Sequence, residues 1–233
     1  MLWSSLPRLW SAISAEYITN RKTGLIAIKL KEGDELVGIT ETTGSSNIIL
    51  ITKLGKCICF AEEEVRPMGR NASGVRAIDL GKGDEVVSME IAVRGESLLV
   101  VSKNGYGKRT PVKEYKVQAR GGKGLLTYDK TKFDKTGVLI GAISVVPEDE
   151  VFLINSDGII IRISAGEVSE LGRSTQGVRI MKVSEGAEIV TLARAPREEP
   201  EDEKGDPREK KPARKSSGSA EKKDDGEQIS LTD

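Results

Sequence analysis

The segment SKNGYGKRTPVKEYKVQARGGKGLLTYDK, Ser102–Lys130, has two companions elsewhere in the chain. TKLGKCICFAEEEVRPMGRNASGVRAIDL, Thr52–Leu80, and NSDGIIIRISAGEVSELGRSTQGVRIMKV, Asn155–Val183, align with it without a gap. Their leading glycines are Gly55, Gly105 and Gly158, their trailing ones Gly74, Gly124 and Gly177, and each pair lies 19 residues apart. The period is 50 residues and then 53. A fixed period of this size marks a repeat architecture, in which each unit buries its apolar face against the next.

Within a unit the apolar runs are short and rich in β-branched residues. NIILITK, SLLVVSK and EVFLINS precede the leading glycine, and GKCICF or GIIIRI follows it. Two such runs joined through Leu-Gly, Asn-Gly or Asp-Gly predict a hairpin. A third strand is expected at the trailing glycine, as in GVRAIDL, and a fourth after the turn KGDEVVSM. Four strands in about 50 residues is the economy of a propeller blade. The turn recurs as Gly33-Asp34-Glu35, Gly83-Asp84-Glu85 and Gly186-Ala187-Glu188. Since Ala187 replaces the aspartate in the last copy, these carboxylates read as hairpin punctuation and not as a metal or acid–base site.

Ahead of the complete units stands a partial one, EYITNRKTGLIAIKLKEGDELVGI, whose Gly24 lies 50 residues before Gly74. Upstream, MLWSSLPRLWSAIS has no glycine-led strand pair, and Pro7 stands near the expected turn. The sequence therefore predicts an all-β, propeller-like fold of about three four-stranded blades plus a partial one, an incomplete ring. Its divisions are an atypical N-terminal segment at 1–15, blades at 16–195, and a tail at 196–233. The tail has 9 basic and 12 acidic residues and little apolar surface, so it is expected to be disordered. With a formal net charge of zero overall, the remainder carries +3.

Histidine is absent, which removes the commonest general base and zinc ligand. The two cysteines, Cys57 and Cys59, alternate within an apolar run, are expected on one face of a strand, and read as buried structural thiols of a reducing cytoplasm. No apolar run reaches the roughly 18 residues of a membrane helix, so no membrane partner is expected.

Positive charge repeats with the blades. Arg70, Arg120 and Arg173 each precede the trailing glycine by four residues. Arg76 and Arg179 follow it by two, and the middle unit has Leu126 there but supplies Lys123. Lys108, Arg109 and Arg162 lie on strands, with Lys53 and Lys56 beside the first hairpin. One such residue is an ordinary solvated charge, whereas recurrence at one blade position makes a curved basic track. Such a track, with no base-reading element, suits the phosphate backbone of bent double-stranded DNA. Gly55-Lys56-Cys57 and Gly122-Lys123-Gly124 do not complete a nucleotide-binding loop, and GYGKRT has Thr110 where a dinucleotide fingerprint needs its last glycine.

Together EEEVRPMGRNASGVRAIDLGKGDEVVSM, NGYGKRTPVKEYKVQARGGKG and LGRSTQGVRIMKVSEGAEIV resemble the C-terminal domain of the A subunit of bacterial DNA gyrase, a type IIA topoisomerase. The resemblance spans roughly Glu16–Ala195 and implies a β-pinwheel, a disc of six blades that exchange strands with their neighbours and wrap DNA on a basic perimeter. It implies that the chain is an N-terminally truncated fragment holding the last three blades and a remnant of the one before. QARGGKG, Gln118–Gly124, is the later-blade counterpart of the family's basic, glycine-rich gyrase A box, with Ala119 in place of its second arginine.

On this resemblance the DNA-binding residues are Arg70, Arg76, Lys108, Arg109, Arg120, Lys123, Arg173 and Arg179. The chain is no enzyme by itself. Tyr17, Tyr106, Tyr115 and Tyr128 all lie in blade repeats and none matches the family's catalytic tyrosine motif, and no catalytic or metal-binding residue is assigned. No cofactor is expected in this chain, since the family's holoenzyme uses ATP and Mg2+ elsewhere. The implied partners are double-stranded DNA, the gyrase B subunit and a second A subunit in a heterotetramer, in a bacterial cytoplasm on the chromosome. Alternatives are the C-terminal domain of the topoisomerase IV A subunit and a propeller-like protein-interaction scaffold.

Overall fold

The computed structural model describes residues 1–195 apart from 21, 94 and 95, so the charged tail at 196–233 lies outside the described residues. The first unit contributes β1 (Leu2–Ser4), β2 (Arg8–Trp10) and β3 (Leu36–Ile39). The second contributes β4 (Asn47–Thr52), β5 (Lys56–Ala61), β6 (Val75–Arg76) and β7 (Val86–Ile91). The third contributes β8 (Ser97–Ser102), β9 (Tyr106–Pro111), β10 (Leu125–Leu126) and β11 (Leu139–Val145). The fourth contributes β12 (Glu150–Asn155), β13 (Ile160–Ser164), β14 (Val178–Arg179) and β15 (Ile189–Arg194).

These strands do not form sheets unit by unit. The sheet orders are β3-β1-β2-β6, β10-β5-β4-β7, β11-β8-β9-β14 and β13-β12-β15. The third strand of each unit from the second onward therefore crosses to the preceding blade and becomes its outermost strand. The inner strands β3, β7, β11 and β15 pack side by side. Val87–Glu90 of β7, Ile140–Ile143 of β11 and Val190–Leu192 of β15 line a cavity of about 260 Å³ together with Trp3 and Thr40.

Continuous apolar runs follow from this stacking, because each inner blade is covered on both faces. Strand alternation sends Ile48 and Leu50 into the core between the first and second blades, and Ile49 and Ile51 into the core between the second and third. Leu98 and Val100 likewise face one way and Leu99 and Val101 the other. Cys57 and Cys59 share a face, as the alternation predicted, and both are free and buried. Burial pushes the Cys57 thiol up to about 12 and the Cys59 thiol up to about 11.

The N-terminal segment corrects the sequence reading. Leu2–Ser4 and Arg8–Trp10 pair antiparallel, Leu2 opposite Trp10 and Trp3 opposite Leu9, and form the middle of the first sheet. Pro7 succeeds where glycine was expected because the exchange asks that position for a carbonyl. The Pro7 carbonyl accepts from Ala77 N–H at 2.8 Å, as Gly55 accepts from Thr127 at 2.9 Å and Gly105 from Ile180 at 2.9 Å. The Gly-Asp-Glu turn also locks this hairpin: Asp34 Oδ1 accepts from Leu6 N–H at 3.0 Å, just as Asp84 Oδ1 accepts from Leu54 N–H at 2.9 Å. The first sheet thus has four strands, and the three-stranded sheet is the last. The longer period comes from Lys130–Lys132 and the helical turn Phe133–Thr136.

Leu50 is buried in the first inter-blade core. Leu50→Ala is expected to cost about 2–5 kcal/mol by lost burial and a residual cavity. A chemical-denaturation midpoint within error of the unsubstituted chain would contradict the shared core.

Candidate nucleic-acid interface

The exchange places the repeated cations on the outer edges. Arg76 lies on β6 opposite Arg8, Leu126 on β10 opposite Lys56, and Arg179 on β14 opposite Tyr106. The loop before each exchanged strand is fixed in one register. Met68 N–H donates to Ser11 O at 2.8 Å, Gln118 N–H to Cys59 O at 2.7 Å, and Leu171 N–H to Arg109 O at 2.8 Å. Single-residue parallel bridges accompany them at Ser11–Pro67, Cys59–Val117 and Arg109–Glu170. Arg70, Arg120 and Arg173 sit two residues beyond these anchors, half-buried at equivalent points of three successive blades.

The cations differ in freedom. Arg76 is exposed, with Asp79 3.5 Å away, and Lys123 is exposed on the glycine loop. Arg120 is tied down: its backbone N–H donates to Glu64 Oε2 at 2.8 Å, its Nε to Glu64 O at 3.3 Å, and an Nη to Arg76 O. An Nη of Arg179 donates to the Tyr106 hydroxyl at 3.0 Å, and its guanidinium lies 5.4 Å from the centre of that ring. Lys135 Nζ is also 5.4 Å from the Tyr106 ring. These groups, with Asn104 and Lys182, line an open cavity of about 310 Å³.

Lys108 and Arg109 do not belong with the surface cations, contrary to the sequence expectation. They lie on β9, a strand covered on both faces, with exposures of 0% and 8%. Lys108 Nζ donates to Gly172 O at 2.6 Å and to Arg173 O, and lies 5.7 Å from the centre of the Tyr128 ring. Arg109 Nε donates to Val168 O at 2.9 Å. Lys108 thereby braces the loop that carries Arg173. Trp10, at the same position of the first blade, braces the Arg70 loop by donating from Nε1 to Ala72 O at 2.9 Å. Burial lowers the Lys108 ammonium to about 8, against a partial opposing pull from Glu114.

Arg8 and Lys135 join the rim without having stood out in the sequence. Arg8 lies in the segment set aside as atypical, and its Nη1 donates to Gly74 O at 3.0 Å, beside Arg76. Lys135 comes with the extra residues of the third unit. The signal for Arg8 was its spacing of two residues from Trp10, which matches Lys56 to Ile58 and Tyr106 to Lys108.

The family model described as the DNA gyrase C-terminal domain, beta-propeller, matches residues 15–42, 46–92, 96–145 and 149–196. The chain is similar to the A subunit of DNA gyrase from Clostridium acetobutylicum, 55% identical over 185 residues that make up 79% of this chain and 22% of that protein. Against the A subunit of DNA gyrase from Mycolicibacterium smegmatis the identity is 39%, over 77% of this chain and 21% of that protein. The chain therefore spans about a fifth of the length of the relatives it matches. A solved DNA gyrase A C-terminal domain superposes with a TM-score of 0.76 at 28% identity, covering 83% of this chain and 64% of that one. The C-terminal domain of DNA topoisomerase IV superposes with a TM-score of 0.78, but its 22% identity supports the fold alone.

The native chain releases the Lys108 proton near pH 8, whereas an unfolded lysine keeps it to about 10.4. Between these values unfolding takes up a proton, so raising the pH favours the folded state through this residue. The stability of the unsubstituted chain relative to Lys108→Met is expected to increase between about pH 8 and 10. A pH-independent difference in denaturation midpoints would contradict a braced, proton-releasing Lys108.

Proposed function

We propose that this chain, which belongs to the DNA gyrase C-terminal domain family, is a DNA-binding and wrapping module that engages the backbone of duplex DNA on its outer blade edges. One observation carries the reading: an exchanged outer strand and its braced loop present cations at equivalent points of three successive blades. Arg76, Lys123 and Arg179 are the direct contacts, joined by Arg8, Arg70, Arg173 and the outward N–H groups of Arg120. Lys108 and Arg109 act through the loops they hold.

Phosphates offer charge without sequence information, and among the described residues the rim carries no α-helix longer than the single turn Phe133–Thr136. The module contributes binding and not bond chemistry. Tyr115 is buried and shares a hydrogen bond of 2.8 Å with Thr127, and burial raises both its hydroxyl and that of Tyr128 above the ordinary range. Strand cleavage, ATP and Mg2+ then belong to other parts of a heterotetramer of gyrase A and B subunits in the bacterial cytoplasm, where bending duplex around the rim supports negative supercoiling. Among the described residues no helix is long and apolar enough to cross a membrane.

The test is the salt dependence of duplex binding. Each phosphate contact contributes a slope of about −0.9 in log affinity against log salt. Replacing Arg76, Lys123 and Arg179 with alanine together is expected to flatten the slope by about one per substitution, equally for unrelated duplexes. A flat slope in the unsubstituted chain, or an unchanged slope in the triple variant, would favour a protein-interaction scaffold instead.

A further inference from the structure

The recess beside Tyr106 departs from the repeat at two positions. Two of the exchanged segments carry an aspartate five residues after the trailing glycine, Asp79 and Asp129, whereas the third carries Lys182. Asp79 lies 3.5 Å from Arg76, the cation of its own strand, and Asp129 Oδ1 accepts from Thr131 N–H at 3.0 Å. Lys182 instead adds a second cation to the wall that holds Arg179. On the facing hairpin the position of Arg8 and Lys56 is taken by Tyr106, and Lys135 and Arg179 each stand 5.4 Å from the centre of its ring.

Each cation is carried on pinned backbone. Asn104 Nδ2 donates to Lys135 O at 3.0 Å, and Asn104 N–H donates to Thr136 O at 2.9 Å. Immediately before Lys182, the N–H groups of Ile180 and Met181 both donate to Gly105 O, at 2.9 and 3.1 Å. Among the described residues no carboxylate lines the cavity of about 310 Å³, and Lys135, Arg179 and Lys182 form no ion pair. Asp134 and Glu185 are exposed neighbours in sequence and do not reach its wall. Like charges gathered in a recess repel one another and focus a positive potential, which an anion relieves. The Tyr106 hydroxyl accepts from Arg179 at 3.0 Å, so its own proton is available to a further acceptor.

We propose that this recess is a seat for a compact phosphoanion, gripped by Lys135, Arg179 and Lys182 with the Tyr106 hydroxyl as a fourth donor. Guanidinium and ammonium groups are the strong donors to phosphate oxygens. The same chemistry is offered by the phosphates of a free nucleotide and by a phosphate of a DNA strand. A track for bent duplex needs its cations at every blade, whereas this cluster occupies one blade among the described residues and encloses the volume of a small-ligand pocket. The seat is independent of the DNA-binding reading, because a free phosphoanion needs no duplex.

Isothermal titration with sodium pyrophosphate at constant ionic strength tests it. The unsubstituted chain is expected to bind one pyrophosphate. Lys182→Asp installs the residue that the second unit carries as Asp79, and Lys135→Gln removes the cation of the helical turn; each is expected to weaken binding by about tenfold or more. Lys82→Ala removes an exposed cation from a distant turn and is expected to change nothing. All three should keep the circular dichroism spectrum of the unsubstituted chain. Absence of saturable binding, an affinity unchanged in both Lys182→Asp and Lys135→Gln, or an equal loss in Lys82→Ala would overturn the proposal. Anisotropy of a labelled duplex, with and without saturating pyrophosphate, then separates the sources. Competition that disappears in Lys182→Asp supports a seat that also takes backbone phosphate, and an unaltered duplex affinity supports one reserved for the free anion. A chain that binds pyrophosphate but no duplex would sink the DNA-binding reading and leave the seat standing.

Discussion

A strand pairing only two residues long holds the blades in order. Val75–Arg76, Leu125–Leu126 and Val178–Arg179 are too short to persist as strands alone, yet each closes the outer edge of a blade built by the preceding unit. The pairing is fixed by a carbonyl acceptor at Pro7, Gly55 or Gly105 and by a close approach that only glycine permits. Beyond it, Ala77-Ile78 and Thr127-Tyr128 enter inter-blade cores. Edge protection, core filling and blade order are thus consequences of one contact.

That contact also builds the candidate interface. The exchanged strand is outermost by topology, so a cation two residues after the trailing glycine reaches the perimeter wherever it occurs. The preceding loop is pinned to the neighbour's second strand by the same backbone bond in three blades. The residue below that loop varies among Trp10, Ile58 and Lys108, so the position tolerates any side chain that can fill the space under it. Lys108 is the costly version, a cation inserted between blades and held by two carbonyls and an aromatic face.

The repeat, hairpins and blade architecture were legible in the sequence because glycine spacing and continuous apolar runs follow directly from stacking two-faced blades. The N-terminal hairpin was not, because glycine is the usual signal at a turn where Pro7 supplies the carbonyl that the exchange requires. Asp34 was the readable clue, since a Gly-Asp-Glu turn implies a hairpin for its carboxylate to lock. The exposed cations of the rim were readable through their recurrence. Lys108 and Arg109 were misplaced because residue type says nothing about whether a strand is covered on both faces. Arg162, one unit later, occupies the same strand position as Arg109 and is exposed, because no exchanged strand covers the outer edge of its blade among the described residues.

If strand exchange creates one continuous binding track, hydrogen exchange of the free and duplex-bound chain will register it blade by blade. Duplex is expected to slow exchange at the loops 69–72, 119–123 and 172–176 and at β6, β10 and β14 together, with β3, β7, β11 and β15 unchanged. Protection confined to a single blade, or appearing on the inner strands, would contradict it.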